Sequence, residues 1–169
     1  YWGAKDRDDI IPKMLPHMIL KHDQMVLATS FLELRGKRGV RQAAGVQDQR
    51  VAIVAHIKAC KHDWKKGIKP NLPYERLTDA YISGVFEAEG MARIQVNETT
   101  LAFSVSIAQS SNRWFLDAMQ AYLDLGAVIS RGSHWMASGP EAYIFLHRIR
   151  PFSRERKSLQ IDLFIECYE

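Results

Sequence analysis

Two carboxylates, Glu87 and Glu89, are the residues of this sequence whose type and position best suit metal chemistry. They stand in the last turn of a predicted helix over residues 77–90, where negative charge opposes the helix macrodipole. Such a helix either tolerates this unfavourable charge–dipole interaction or has a functional use for the two acids. Carboxylate oxygens are ligands that hard divalent cations prefer, and they leave positions for water and phosphate. The alternative is an ordinary buried helix whose acids point to water.

The helix that positions these acids, LTDAYISGVFEAEG, has a small residue at every fourth position. Ala80, Gly84 and Ala88 would form a narrow stripe against which a second helix could pack closely. The opposite face is apolar and is expected to lie in a core. Gly90 is predicted to end the helix in a left-handed conformation.

Positive charge is concentrated in the first part of the chain. Residues 1–70 carry 14 Lys and Arg against 7 Asp and Glu, 71–147 carry 4 against 8, and 148–169 carry 5 against 4. Three basic clusters therefore favour contact with a polyanion. They comprise Arg35, Lys37, Arg38 and Arg41 in a glycine-punctuated loop, then Lys65, Lys66 and Lys69, and finally Arg148, Arg150, Arg154 and Arg156. For the loop 35–41, a solvated linker is an equal alternative to phosphate binding.

The composition is that of a globular protein, with 47% apolar and 25% charged residues. A chain of 169 residues can bury a core as one domain or as two small ones. Its longest apolar runs, such as VAIVA at 51–55, are too short to span a bilayer, so we expect no membrane partner. Cys60 and Cys167 do not make a disulfide framework.

Hydrophobic periodicity predicts an α+β chain. Helices are predicted at about 17–34 and 47–64, before a linker with two prolines. After Gly90 the apolar period becomes two, which predicts an antiparallel hairpin that turns at residues 98–100. The remaining pattern is a helix at 112–125, strands at 127–131 and 134–137, a helix at 141–148 and a last helix from about 156.

An imperfect internal repeat relates the two ends of the chain. KHDQMVLATSFLE, from Lys21, aligns with KSLQIDLFIECYE, from Lys157, at an offset of 136 residues. The alignment also pairs Gln24 with Gln160, Leu27 with Leu163 and Glu33 with Glu169. This repeat predicts that the first 34 residues are the tail of one unit and that 77–169 form a complete second unit.

Residues 82–90, ISGVFEAEG, resemble the LAGLIDADG motif of the homing endonuclease family. Three further segments resemble the green-algal organellar branch of this family. The second helix of that branch is matched by QSSNRWFLDAM at 109–119, and its closing helix by IRPFSRERKSLQIDLFIE at 149–166. The closing helix of the first repeat is matched by MLPHMILKHDQMVLA at 14–28. The resemblance implies an αββαββα unit used twice, with 77–169 complete, 1–66 a helical remnant of the first repeat and 67–76 a linker. In the family, two motif helices cross and each supplies one acid to the metal, while two sheets straddle duplex DNA.

Carried over residue by residue, the resemblance implies that Glu89 is a metal ligand, for Mg²⁺ if the protein is catalytic. It implies that Lys21 is the basic residue beside the active site from the first repeat, with Lys157 or Arg156 as its counterpart. Gln109 would order a water molecule. These four positions, Glu89, Lys21, Lys157 and Gln109, would be vestigial in a protein that does not cleave.

The sequence departs from the family pattern in ways that bear on catalysis. No segment before residue 77 has an acid-ending glycine motif. Asn112 stands where the green-algal branch has a basic residue, and the hairpin turn is shorter than a groove-reading arm. The polar face of the second hairpin strand consists of Ala and Ser, whereas base reading needs long donors and acceptors.

These departures favour a former endonuclease that binds nucleic acid without cleaving it. We expect a scaffold for structured RNA in an organellar ribonucleoprotein, such as a mitochondrial or chloroplast ribosome, that needs no cofactor for binding. The alternative is a Mg²⁺-dependent, site-specific DNA endonuclease, or an intron maturase. For the endonuclease, either Tyr1 is a truncation point or another protein chain supplies the missing helix against Ala80, Gly84 and Ala88.

Overall fold

A computed structural model describes residues 10–34, 44–65, 73–109, 112–129 and 133–169, with the backbone alone at 61–65 and 155–156. The chain divides into two compact units, residues 1–76 and 77–169. The basic loop 35–41, Lys66 and Lys69 lie outside the described residues, as do the side chains of Lys65 and Arg156. Within the described ranges, no helix combines the length and the apolarity that a membrane span requires.

The first unit is helical where it is described. Residues 10–14 are helical and lead into a 3-10 turn, Leu15–His17, followed by helices α1 (His22–Glu33) and α2 (Val46–Lys65). The helix predicted from residue 17 begins later because Met18 is extended. Arg50 of α2 holds the pair together, since it donates to the Leu34 carbonyl at 2.9 Å and lies 5.6 Å from the centre of the Phe31 ring. Among the described residues of this unit, only Ile19 is fully buried.

The second unit contains all the strands of the described chain. Its elements are α3 (Asp79–Glu89), β1 (Gly90–Val96), β2 (Leu101–Ala108), α4 (Arg113–Leu123), β3 (Ala127–Ile129), β4 (His134–Ser138), α5 (Pro140–Ile149) and α6 (Glu155–Tyr168). The strands form one antiparallel sheet in the order β1-β2-β4-β3. The predicted α+β class is thus confirmed, with the element order αββαββα followed by one more helix.

Side chains alternate between the two faces of the sheet, one covered by helices and the other directed outward. Val105 and Ile107 of β2 and Trp135 of β4 are buried beneath the helices. Helix α5 contributes Phe145, whose ring lies 4.8 Å from that of Trp135 and 5.7 Å from that of Phe86 in α3. The core therefore lies between the sheet and the four helices of this unit.

Local side-chain chemistry explains where the helices begin and end. Thr78 caps α3 by accepting a hydrogen bond from the Tyr81 N–H at 3.2 Å, and Asn112 caps α4 by accepting from the Phe115 N–H at 3.1 Å. Helix α4 ends at Leu123 because Asp124 is left-handed, with φ of 55°.

The prediction that Gly90 is left-handed is wrong. Its φ of −86° and ψ of 156° are extended, because the chain passes directly from α3 into β1. A Cβ at this position would lie 2.5 Å from the Phe86 carbonyl oxygen and 2.6 Å from Phe86 Cγ. Close approach of Phe86, rather than a special backbone conformation, explains the glycine.

Candidate functional site at the end of helix α3

Three contacts fix the last turns of α3 against the segment 153–157. The Ser83 and Ser153 hydroxyls are 3.2 Å apart. The Arg154 N–H donates to Glu87 Oε1 at 2.7 Å, and Lys157 Nζ donates to the Gly90 carbonyl at 2.6 Å. The carboxyl end of α3 and the amino end of α6 are therefore held together.

Glu87 has a structural role that its position in the sequence does not reveal. Arg154 is the N-cap residue of α6 and has no side-chain cap of its own. Glu87 supplies the missing acceptor, and its negative charge lies at the favourable, amino-terminal end of the α6 dipole. Lys157 places a positive charge at the other end, since its ammonium group donates to the carbonyl of Gly90, the C-cap residue that follows α3. The two long-range contacts explain how this fold accommodates the acidic last turn.

Glu89 is the member of the acid pair that remains exposed to solvent. Within the described residues, no hydrogen bond or ion pair holds its carboxylate. The bond from Lys157 to Gly90 places an ammonium group at the residue that follows Glu89, and that ammonium also lies 5.3 Å from the centre of the Phe86 ring. This unit therefore presents one free carboxylate beside one cation.

Gln109 and Lys157 are the expected catalytic residues that belong to the same unit as Glu89. Gln109 follows β2, and the register that pairs Gly90 with Ile107 puts Gln109 at the same end of the sheet as Glu89. Its backbone N–H donates to the Ser133 carbonyl at 2.8 Å. Lys21 belongs to the first unit, where it is exposed and immediately precedes α1. Within the second unit, Glu89, Lys157 and Gln109 thus lie at the same end of the sheet.

One carboxylate can serve as a ligand for Mg²⁺, which typically takes one or two protein carboxylates together with water and phosphate. In the part of the chain that the structure describes, no group of three or more His, Cys, Asp or Glu side chains is placed to hold a metal ion. A metal at Glu89 would therefore depend on ligands from nucleic acid, water or a further protein segment.

The small-residue stripe of α3 is open within the second unit. Ala80, Gly84 and Ala88 are all exposed, whereas Ile82, Ser83, Val85 and Phe86 form the buried face of the helix. A Cβ added at Gly84 would meet nothing within 4 Å. The stripe therefore has the shape expected for close helix packing, but no described part of this unit packs there.

Two of the predicted phosphate-binding arginines form ion pairs with carboxylates of the second unit. Arg148 Nε lies 2.7 Å from Asp79 Oδ1, and its guanidinium group is 4.8 Å from the centre of the Tyr122 ring. The close contact with the Asp79 carboxylate raises the pKa of Arg148 above its ordinary value.

Arg150 makes a bidentate pair with Asp162 through Nε and Nη2. This contact raises the pKa of Arg150 and lowers the pKa of Asp162. Arg148 and Arg150 are thus each paired with a carboxylate, and their contact with nucleic acid stays a prediction. Of that cluster, the described and exposed cation is Arg154.

The outward face of the sheet carries mostly small or uncharged side chains. By strand alternation and pairing, this face consists of Met91, Arg93 and Gln95 of β1, Ala102, Ser104, Ser106 and Ala108 of β2, and His134, Met136 and Ser138 of β4. Arg93 is the one Lys or Arg among these described positions. The long donors that read base edges are therefore scarce on this surface.

Comparison of the chain with protein-family models and with curated proteins finds no match. The features that can be related to function are thus the chain's own. They are Glu89 with Lys157, the open stripe on α3, and the outward face of the sheet.

Proposed function

We propose that this protein is a nucleic-acid-binding scaffold derived from the LAGLIDADG homing endonuclease family, and that it binds structured RNA without cleaving it. Its second unit has the element order expected for the family, αββαββα, with a further helix after it. The motif-like helix α3 ends at Glu89 and passes through Gly90 into the first strand. These features support the family resemblance, which remains a part of the proposal.

The observation that carries the preference for a scaffold is the outward face of the sheet. A DNA-reading sheet needs long hydrogen-bonding side chains that reach base edges in the major groove. Here β2 directs Ala102, Ser104, Ser106 and Ala108 to that face, and β1 adds a single arginine. Residues 71–147, which include the whole of this sheet, carry 4 Lys and Arg against 8 Asp and Glu, so the surface is poorly suited to a duplex backbone.

The different contacts of Glu87 and Glu89 support the same proposal. The Glu87 carboxylate accepts a hydrogen bond from the Arg154 N–H at the amino end of α6. Of the acid pair, Glu89 is therefore the carboxylate available to bind a metal. Two-metal or shared-metal cleavage requires carboxylates from more than one element to clamp the attacking and leaving oxygens. A single carboxylate on one helix lacks that clamp.

The binding surface in this proposal is the basic part of the chain. Residues 1–70 carry 14 Lys and Arg against 7 Asp and Glu, and these cations cluster at 35–41 and 61–69. Dispersed cations suit RNA, whose helices are recognised largely through shape and backbone contacts. The family resemblance points to an organellar ribonucleoprotein, such as a mitochondrial or chloroplast ribosome, as the site of action.

Equilibrium binding tests this proposal. The full chain is titrated onto a structured RNA hairpin and onto a DNA duplex of equal length, at several salt concentrations and without Mg²⁺. We expect tighter binding to the RNA, with an affinity that falls steeply as salt rises because phosphate contacts release counterions. Equal or tighter binding to the duplex would contradict the preference for RNA.

The second candidate function is DNA cleavage in an assembly with another protein chain. The open stripe of Ala80, Gly84 and Ala88 and the exposed Glu89 favour it, because a second acid-tipped helix could pack there. A nicking assay with Mg²⁺ compares the wild type with Glu89→Gln and, as a matched control on the same helix turn, Glu87→Gln. Cleavage that disappears in Glu89→Gln alone would establish the enzyme and refute the scaffold.

A further inference from the structure

Strand β1 is an edge strand whose outer side can be assigned residue by residue. The Asn97 N–H donates to the Thr100 carbonyl at 2.9 Å, and the Gly139 N–H donates to the Phe103 carbonyl at 2.9 Å. Because the hydrogen-bonding side alternates along a strand, odd-numbered residues of β1 bond to β2. The backbone N–H and C=O groups of the even-numbered residues Ala92, Ile94 and Val96 therefore point away from the sheet.

The open edge begins at Ala92 because the peptide groups of Gly90 are already used. Its N–H donates to the Phe86 carbonyl, and its carbonyl accepts from Lys157. In the part of the chain that the structure describes, β1 pairs with β2 and with no other strand. Natural edges are commonly protected by proline, a bulge or an inward charge, but β1 has a continuous register over residues 90–96 and no proline. It is therefore able to accept another strand.

We propose that this edge pairs with the same edge of a second copy of the chain, in antiparallel orientation about a two-fold axis at Ile94. In this register Ile94 lies opposite Ile94 of the other copy, Ala92 lies opposite Val96, and Arg93 lies opposite Gln95. Such an interface is isologous, as in most homodimers. The two sheets become one continuous eight-stranded sheet.

Charge and hydrogen bonding select this register over its neighbours. Moving the axis to residue 93 would set Arg93 directly against Arg93, which is unfavourable. It would also require pairing by Gly90, whose peptide groups are bonded elsewhere. Moving the axis to residue 95 would leave only the end of the strand, residues 94–96, in contact. The axis at Ile94 avoids the charge repulsion and keeps five residues of each strand paired.

Helix α6 supports a second copy as the occupant of this edge. It runs alongside β1 in the same direction, because Lys157 contacts Gly90 while the Tyr168 ring lies 5.1 Å from that of Phe103, the partner of Ile94 in β2. Leu163 of α6 is 57% exposed and Val96 at the end of β1 is 75% exposed. A two-fold axis at Ile94 places both α6 helices on the same face of the joined sheet, on either side of the seam, and sets Val96 against Ala92 of the other copy.

Disulfide trapping tests the register directly. In a chain with Cys60→Ser and Cys167→Ser, we introduce Arg93→Cys and Gln95→Cys separately, and then mix the two variants under mild oxidation. Residues 93 and 95 of opposite copies form a non-hydrogen-bonded pair with about 4.5 Å between Cα atoms, which a disulfide can span. We expect a linked species of twice the 19.4 kDa chain mass in the mixture and little in either variant alone. Ser104→Cys, on the same face of the inner strand, serves as the control for random collision.

Each outcome decides for or against the dimer. A mixture that links no more than the Ser104→Cys control would overturn the proposal, and efficient linking of Arg93→Cys with itself would overturn the axis at Ile94. Sedimentation of the unlinked protein gives an independent readout. Val96→Lys, at a side chain so exposed that folding tolerates it, should weaken dimer formation at least tenfold, and an unchanged dissociation constant would contradict the interface. None of these readouts depends on RNA binding.

Discussion

Gly90 and Gly84 lie six residues apart near the end of α3, and alanine should have opposite effects at the two positions. At Gly90 the backbone conformation suits any residue, so the effect of Gly90→Ala comes from contact alone. The added Cβ would lie 2.5 Å from the Phe86 carbonyl oxygen and 2.6 Å from Cγ of the buried Phe86 ring. At Gly84 the added Cβ meets nothing within 4 Å.

The expected magnitudes follow from these contacts. Overpacking in a well-packed core typically costs about 1–3 kcal/mol, and Gly90→Ala should reach the upper part of that range because a backbone atom must move. Gly84→Ala should stabilise the unit by about 0.5–1 kcal/mol, since glycine in a helix interior loses more conformational freedom than alanine. The two variants should therefore differ by about 2–4 kcal/mol in the free energy of unfolding.

Hydrogen exchange of peptides from residues 77–169 in increasing urea is the suitable assay. It reports the second unit alone, whereas a single global transition is not assured in a chain of two units. Equal protection of the two variants would refute the assigned packing of Phe86 against Gly90. A loss of stability in Gly84→Ala would show that the stripe on α3 is covered.

Three further predictions concern the charged contacts of the second unit. Glu87→Ala should cost about 0.5–2 kcal/mol because the Arg154 N–H at the start of α6 loses its acceptor, whereas Glu89→Ala should change stability by less than about 0.5 kcal/mol in urea unfolding. Equal effects would refute the distinct roles of the two acids. In a double-mutant cycle, Arg148→Met should lower the free energy of unfolding more in the wild type than in an Asp79→Asn background, because in the wild type the substitution leaves the half-buried Asp79 carboxylate unpaired. Additive effects of the two substitutions would contradict that pairing. Arg150 lowers the pKa of Asp162, so the stability that this carboxylate contributes is present above its ordinary value of 3.8 and is lost as pH falls through the lowered pKa. Unfolding from pH 6 to pH 2 should therefore show weaker acid sensitivity in Asp162→Asn than in the wild type, and identical pH profiles would rule out this linkage.

The regular elements of the second unit were largely predictable because their periodicity is local. Alternation in LAFSVSIA predicted a strand with one covered face, and β2 indeed buries Val105 and Ile107. The predicted turn at residues 98–100 lies between β1 and β2, which the structure joins as an antiparallel hairpin. Asn112 and Thr78 are residue types that favour helix caps, and both act as caps.

The side-chain contacts at the candidate site could not be predicted in the same way. Glu87 meets Arg154, and Asp79 meets Arg148, across long stretches of sequence, so no spacing rule connects them. The left-handed conformation predicted for Gly90 is the one that glycine often adopts at the end of a helix. Here a strand follows the helix directly and Phe86 lies close to Gly90. Lys157 donates to the Gly90 carbonyl, and its expected role beside Glu89 stays a prediction that came from the family resemblance rather than from local pattern.

The proposal that RNA binds through the basic segments, away from the sheet, is tested most directly by comparing two sets of substitutions. One variant replaces Arg35, Lys37, Arg38 and Arg41 with glutamine, and the other replaces only Arg93, the described cation on the outward sheet face. With a structured RNA hairpin at fixed salt, we predict at least a tenfold loss of affinity and a shallower salt dependence for the first variant, and less than a twofold change for the second. A large loss on Arg93→Gln with little effect of the loop substitutions would contradict the account, because the sheet would then be the binding surface.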